Sequence, residues 1–174
     1  MKIIVGLGNV GDGYAHTYHN LGFLTVECLA GRLKTAFSKK ECGSLTAHGE
    51  FGGERIILAK PQTMMNRSGA AVQKLVGYYK CALSDLIVIY DDVDIEKGTI
   101  RYRETGSSGT HNGMRDIVLY VGEEFKRIRL GVGRPPEGRD LASFVLSVIP
   151  KDERPLFVKA IGDAADKALE LVRG

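Results

Sequence analysis

Residues 1–22, MKIIVGLGNVGDGYAHTYHNLG, decide the fold that we expect from this sequence. Residues 3–5 form an unbroken β-branched run, which is typical of a strand buried on both faces of a largely parallel sheet. Glycines at positions 6, 8 and 11 follow and allow the backbone to turn tightly. A polar stretch then leads to Asn20, where an apolar helical pattern begins. The segment predicts a strand, a loop that presents polar side chains, and a helix.

The same glycines match G-x-G-x-x-G, the dinucleotide-binding fingerprint. In that fold the third glycine opens an apolar helix, and an acidic residue ends a second strand about 20 residues later. Here the third glycine is followed by a polar stretch, and the next apolar segment has helical character. A nucleotide-binding oxidoreductase is therefore only a third hypothesis, because it depends on this match alone.

Length and composition define the class of protein. A chain of 174 residues, 44% hydrophobic and 26% charged, is long enough for one globular domain and short for two. No apolar run approaches the ~18 residues of a membrane span and no signal peptide is evident, so we expect a cytoplasmic protein. Three widely spaced cysteines argue against a disulfide framework or a thiolate metal site. A net charge of +3 permits a nucleic-acid partner without requiring one.

Periodicity and turn residues predict the remaining elements. They are a helix from Asn20 to about residue 33, a hairpin of strands 44–50 and 55–60 around Gly52-Gly53, a helix capped by Ser68, a central strand over 86–90, a strand over 99–103, a helix carrying Ile117 and Val121, a strand over 126–132, a short helix over 141–149 and a final helix over 152–173. We expect residues 1–174 to form a single-domain α/β/α sandwich around a twisted mixed, mostly parallel sheet.

The loops after the strand ends hold the candidate catalytic residues, because such loops converge on one crevice in open α/β sheets. His19 could take a proton from water at neutral pH, and Asp91 could fix its tautomer, which requires about 2.6–3.2 Å between the two side chains. Asn9 and Asn112 offer neutral donors and acceptors for amide groups or an oxyanion. The sequence has no G-x-S-x-G, Walker A or H-E-x-x-H motif, which argues against a serine or zinc hydrolase.

Metal binding is the alternative role for the acidic and histidine residues. Asp91, Asp92 and Asp94 could bind Mg²⁺ at a strand end, although no phosphate-binding lysine stands in these loops. His16 and His19 could share a metal, but no third ligand is in register, so we expect His16 to be exposed.

Purely structural roles are the alternative for Asn66, Asn112 and the arginines. Both asparagines could be helix N-caps. The alternating pairs Arg101 with Arg103 and Arg127 with Arg129 could be solvated strand faces.

Six motifs, spread from residue 2 to about residue 145, carry a resemblance to a known family. They are GLGNVG with Tyr14, HNLGF, PQTMMNRSG, DDVD, GTHNGMRDI and RIRLGVGRP. With them the sequence resembles the bacterial-type peptidyl-tRNA hydrolases. The resemblance implies hydrolysis of the ester bond between peptide and tRNA, by water and with no metal or organic cofactor. A noncatalytic RNA-binding protein of the splicing type, on the same fold, is the alternative.

The resemblance also implies roles for single residues. His19 matches the catalytic base and Asp91 its supporting residue. The substrate-binding matches are Asn9, Asn66 and Asn112 on the peptidyl part and the scissile ester, Tyr14 at the 3′ end of the tRNA, and Arg101 and Arg129 on acceptor-stem phosphates. The implied partner is peptidyl-tRNA, contacted at its acceptor stem and 3′ end, with no membrane involved. We expect a monomer.

Three features depart from the family pattern. Val10 stands where the family usually has proline, and GSSGT precedes His111 in place of a run of glycines. We expect these two loops to differ in stiffness while the chemistry is retained. The sequence ends at Gly174, before the basic extension of many relatives, so we expect weaker affinity for tRNA.

Overall fold

A computed structural model describes all residues 1–174 as seven strands and five helices. The strands are β1 (Lys2–Gly6), β2 (Lys39–Glu41), β3 (Ser44–Phe51), β4 (Glu54–Pro61), β5 (Leu86–Asp92), β6 (Ile100–Arg103) and β7 (Lys126–Gly131). The helices are α1 (Leu21–Arg32), α2 (Ser68–Tyr78), α3 (Asn112–Val121), α4 (Leu141–Val145) and α5 (Arg154–Arg173). No helix combines the length and the apolar character that crossing a membrane requires.

The strands form one mixed sheet in the order β2-β3-β4-β1-β5-β7-β6. β1 lies between β4 and β5 and is parallel to both, and β7 is parallel to β5. The hairpin strands and β6 are antiparallel to their neighbours. The predicted mixed sheet with a mostly parallel centre is therefore confirmed.

Side chains of β1 alternate between two apolar layers. Ile4 belongs to a core cluster with residues of α1, α4 and α5, while Ile3 and Val5 belong to a second cluster with residues of α2 and α3. All three are fully buried, and each such side chain contributes about 1.5–3 kcal/mol to folding. Helices thus cover both faces of the sheet, as the predicted α/β/α sandwich requires.

The hairpin forms where the glycine pair predicted it. Gly52 and Gly53 have φ values of 59° and 82°, the positive range of the tight turns that match the twist of hairpin strands. β2, with the sequence KKE, extends this edge of the sheet and was not predicted, because it has no apolar alternation.

Two of the first three glycines allow α1 to lie directly on the sheet. A Cβ on Gly6 would lie 2.2 Å from the carbonyl oxygen of Gly22, and one on Gly8 would lie 2.6 Å from the Phe23 ring. The Leu7 N–H donates to Ile89 O, and the Asn9 N–H donates to the Asn20 side chain. Through these contacts the G-x-G-x-x-G stretch packs against α1 and β5, which argues against a phosphate-binding loop.

Three predictions about the starts of α2 and of the last helix need correction. Ser68 is the first residue of α2 rather than its cap, and its hydroxyl donates to Met65 O. Asn66 lies within a 3₁₀ turn, Met65–Arg67, and does not occupy the N-cap position of α2. The last helix begins at Arg154, two residues later than predicted, because residues 151–153 form a 3₁₀ turn.

The helix predicted over 141–149 is shorter than expected. α4 ends at Val145, and the chain then pairs with the segment before His19. Thr17 bridges Val148, and the Ile149 N–H donates to His16 O. Backbone pairing with another segment replaces the last helical turn.

The contact between α1 and the sheet can be tested with two glycines of one helix. In Gly22→Ala the new Cβ would lie 2.3 Å from Ile89 O, whereas Gly31 has open space around its Cβ position. We expect Gly22→Ala to lower the free energy of unfolding by about 3 kcal/mol or more, at the upper end for overpacking. Gly31→Ala should raise it by up to about 1 kcal/mol, because alanine is the better helix former. Urea denaturation measures both, and equal effects would contradict this packing.

Candidate active site

A cleft of about 810 Å³ lies at the edge of the sheet where β1, β4 and β5 end. It brings together six of the eight predicted site residues: Asn9, His19, Asn66, Asp91, Asn112 and Arg129. Tyr14 lies outside its lining, in the 3₁₀ turn Asp12–Tyr14, and is half-buried. Arg101 is exposed and lines a separate groove beside α5.

His19 and Asp91 are in direct contact at the base of the cleft. Nδ1 of His19 lies 2.8 Å from Oδ2 and 3.0 Å from Oδ1 of Asp91, which confirms the predicted distance. His19 belongs to the 3₁₀ turn Tyr18–Asn20 that precedes α1, and Asp91 stands near the end of β5. Because Nδ1 faces the carboxylate, Nε2 lies on the other side of the ring, where it has no protein partner.

His111 is a third member of this site that the sequence did not single out. Its Nδ1 accepts a hydrogen bond from the Met114 N–H at 3.1 Å, so the proton of the neutral ring is on Nε2. That Nε2–H donates to Asp91 Oδ1 at 3.0 Å. His111 is also the N-cap of α3, which corrects the interpretation of Asn112 as the cap. The motif GTHNG was the available signal, but only its asparagine, Asn112, was predicted as a site residue.

Burial and electrostatic interactions shift the pKa values of Asp91, His19 and His111 in opposite directions. Burial alone would raise the pKa of Asp91, but the charge of His19 and the hydrogen bonds from His19 and His111 hold that pKa well below its usual range. Burial alone would lower the pKa of His19, and the Asp91 charge and hydrogen bond raise it above its ordinary value. Burial lowers the pKa of His111 despite the same carboxylate. The site therefore holds an ionised Asp91 and a neutral His111.

The side chain of Asn9 is fixed in one orientation. Its Oδ1 accepts from the Met65 N–H at 2.7 Å, so its Nδ2 is left to donate into the cleft. Asn20 holds the backbone of Asn9 from both sides, accepting from its N–H at 2.8 Å and donating to its carbonyl at 2.9 Å. Sequence reasoning predicted Asn20 as an N-cap. It occupies that position, but its side chain binds Asn9 instead.

His19, Asp91 and His111 also form the one group of side chains with a spacing that could hold a metal ion. The Met114 contact leaves the proton of His111 on the nitrogen that faces Asp91, so no lone pair on that atom is available to a metal. The arrangement fits a hydrogen-bonded triad better than a metal centre.

The magnesium alternative at Asp91, Asp92 and Asp94 is not supported. Asp92 pairs with Arg129 at 3.4 Å, Asp94 pairs with Arg134, and Asp91 binds the histidines. The three carboxylates therefore do not converge. His16 is exposed, as expected.

The arginines of β7 are not a solvated strand face, which corrects that alternative. Arg127 is fully buried, lies 4.2 Å above the Phe125 ring and donates to Glu123 O at 2.7 Å. Arg129 is 15% exposed and lines the cleft. Arg101 and Arg103 of β6 are exposed, and each stands opposite an arginine of β7. Four cationic groups are thus concentrated on two adjacent strands.

The fold and this cleft place the chain among the single-domain α/β enzymes whose site lies at the carboxyl edge of a parallel sheet. The chain belongs to the peptidyl-tRNA hydrolase family, whose model matches residues 3–174. The expected family resemblance is therefore confirmed.

Individual relatives agree over the full length. A peptidyl-tRNA hydrolase of a Thermoanaerobacter species is 46% identical, with 99% of this chain and 93% of the relative covered. One from Alkaliphilus metalliredigens is 43% identical, with both chains fully covered. The crystal structure of the enzyme from Acinetobacter baumannii matches with a TM-score of 0.95 and 36% identity, over 100% of this chain and 89% of that one.

Proposed function

We propose that this chain hydrolyses the ester bond of peptidyl-tRNA, releasing the peptide and free tRNA, with His19 as the general base. Family membership supports the reaction. The observation that carries the mechanism is the His19–Asp91 contact of 2.8 Å within the cleft. A noncatalytic RNA-binding protein needs no such pair, so the contact argues against that alternative.

His19 activates the attacking water. Its Nδ1–H donates to Asp91, which leaves the Nε2 lone pair to accept a proton as the water attacks the ester carbonyl. The resulting imidazolium lies next to the Asp91 carboxylate, which stabilises its charge. The same proton then passes to the 3′ oxygen of the departing tRNA. No covalent intermediate with the protein forms on this route.

The asparagines bind the peptidyl part and the scissile ester. Asn9 presents Nδ2 to the cleft, and an amide donor stabilises a developing oxyanion without adding a charge. Asn66 and Asn112 line the same cleft and bind the neighbouring peptide groups. Neutral groups suit a substrate whose peptide differs from one molecule to the next, because backbone amides are its common feature.

Basic and aromatic residues bind the tRNA. Arg129 and Arg101 contact acceptor-stem phosphates, and Tyr14 contacts the 3′ end. Tyr14 and Arg101 lie outside the lining of the cleft, so these roles need a substrate that extends across the rim. A tRNA acceptor stem is such a substrate. The protein acts on it as a cytoplasmic monomer.

The role of His19 can be tested against a histidine of the same segment. We expect His19→Ala to lower kcat by about 10²–10⁴-fold, the usual contribution of a general base, with tRNA binding largely retained. His16→Ala is the matched control, because His16 is exposed and outside the cleft; it should keep normal turnover. Peptide release from an acylated tRNA is the assay. Near-normal turnover of His19→Ala would make the proposed mechanism wrong.

The phosphate contacts predict a salt dependence. Log K for tRNA should fall by roughly 0.7 to 0.9 per neutralised phosphate per tenfold rise in salt. Replacing Arg101 and Arg129 by alanine should flatten this slope, equally for different tRNA species, because phosphate contacts carry no base information. Arg55→Ala is the control, since Arg55 is exposed at the start of β4, at the opposite end of that strand from the cleft. An unchanged slope in the double variant would exclude both phosphate contacts.

A further inference from the structure

Tyr18, the residue before His19, is almost fully buried at a junction of several segments. Its hydroxyl donates to Glu153 Oε1 at 2.5 Å, and Lys97 donates to Glu153 Oε2 at 2.8 Å. Its ring stacks on Phe144 with 4.9 Å between centroids and meets the edge of Phe157 at 5.6 Å. We call Tyr18, Glu153 and Lys97 the Tyr18 cluster. None of its members lines the cleft.

The Tyr18 cluster connects the base to one wall of the cleft. Residues 141–146 supply Leu141, Ala142, Val145 and Leu146 to the lining. This segment is joined to Tyr18 through the Phe144 ring and through the hydrogen bond from the Tyr18 N–H to Ser147 O at 3.3 Å. A displacement of Tyr18 therefore moves His19 and the wall together.

The cluster also closes a loop of contacts around the catalytic pair. Lys97 lies six positions beyond Asp91, on the segment that follows β5. The loop of contacts runs from Asp91 along the chain to Lys97, and from there through Glu153 to Tyr18. The next residue, His19, closes it with the 2.8 Å hydrogen bond to Asp91. His19 and Asp91 are thus tied to each other twice, once directly and once through the Tyr18 cluster.

We propose that the Tyr18 cluster is a positioning element that holds the His19 imidazole at hydrogen-bond distance from Asp91 and couples it to the cleft wall 141–146. Tyr18 acts through His19 and touches no reacting atom. The expected effect on turnover rests on the proposed function of His19. The expected effect on the contact between His19 and Asp91 does not.

The phenol is suited to this role because it is neutral. Burial and the Glu153 hydrogen bond raise the pKa of Tyr18, so its hydroxyl stays protonated and donates. Arg139 and Asp152 are the other charged groups near the phenol, and Asp91 and His111 are the titratable groups that face His19. Tyr18→Phe changes none of these charges. It removes one hydrogen bond and keeps the ring, so it tests position rather than electrostatics.

The experiment compares wild type with Tyr18→Phe, Glu153→Gln and a matched control, Tyr79→Phe. Tyr79 also donates its hydroxyl to a carboxylate, that of Glu41 on β2, but it lies outside the cleft and outside the Tyr18 cluster. One measurement is the NMR titration of the His19 ring in the full chain, which needs no substrate. The other is the pH dependence of kcat for peptidyl-tRNA.

We expect Tyr18→Phe to lower the pKa of His19, because a looser contact with Asp91 favours the imidazolium less. The acid limb of kcat should move to lower pH by the same amount, and kcat at neutral pH should fall by about three- to tenfold from misplacement of the base. Glu153→Gln should act in the same direction and replaces Tyr18→Phe if that variant does not fold. Tyr79→Phe should lose stability only.

A His19 titration in both cluster variants that is identical to wild type would overturn the proposal, and so would an equal loss of kcat in Tyr79→Phe. Failure of the proposed function has a different signature. In that case wild type would release no peptide, or His19→Ala would remain active, while the NMR titration would still decide whether the Tyr18 cluster positions His19.

Discussion

The candidate active-site cleft depends on one buried carboxylate, Asp91, which accepts hydrogen bonds from two imidazole rings. A lone ionised carboxylate in a protein interior costs several kcal/mol, and removing its partners leaves that cost uncompensated. Here His19 and His111 supply the donors, from positions 72 and 20 residues away along the chain. This requirement holds three parts of the chain together: the end of β5, the turn before α1 and the cap of α3. The same carboxylate orients His19 so that its Nε2 faces away from Asp91.

Close packing of α1 on the sheet allows this arrangement. His19 stands just before α1, and it reaches Asp91 because Gly22 lets the helix backbone lie against Leu7 and the carbonyl of Ile89, two residues before Asp91. A side chain at position 22 would force the helix and its preceding turn outward. The glycines of the first segment therefore help to position the proposed base, because they set the depth at which the helix lies on the sheet. This also explains how a fingerprint-like glycine pattern occurs without a nucleotide site.

Local patterns predicted what depends on local sequence. The apolar runs of β1 and β5 and the glycine pair of the hairpin appear as expected. Features that depend on distant partners were missed or wrong: β2 exists through pairing with β3, and α4 ends early because residues 147–149 pair with the segment before His19. Alternation in β7 indicated solvated arginines, but it could not reveal the carbonyl groups and the Phe125 ring that bury Arg127. His111 was not predicted as a site residue because its role depends on Asp91, which no local pattern connects to it.

The most direct test of this account is the pH dependence of kcat in Asp91→Asn. In the proposed mechanism His19 must be neutral to accept a proton, so we expect activity to be lost as pH falls through its pKa, which the Asp91 charge raises. Removing that charge should move the acid limb to lower pH. On the plateau, kcat should fall less in Asp91→Asn than in His19→Ala, because an orienting group is not the proton acceptor. An acid limb that stays at its wild-type position would contradict the claim that Asp91 sets the protonation of the base.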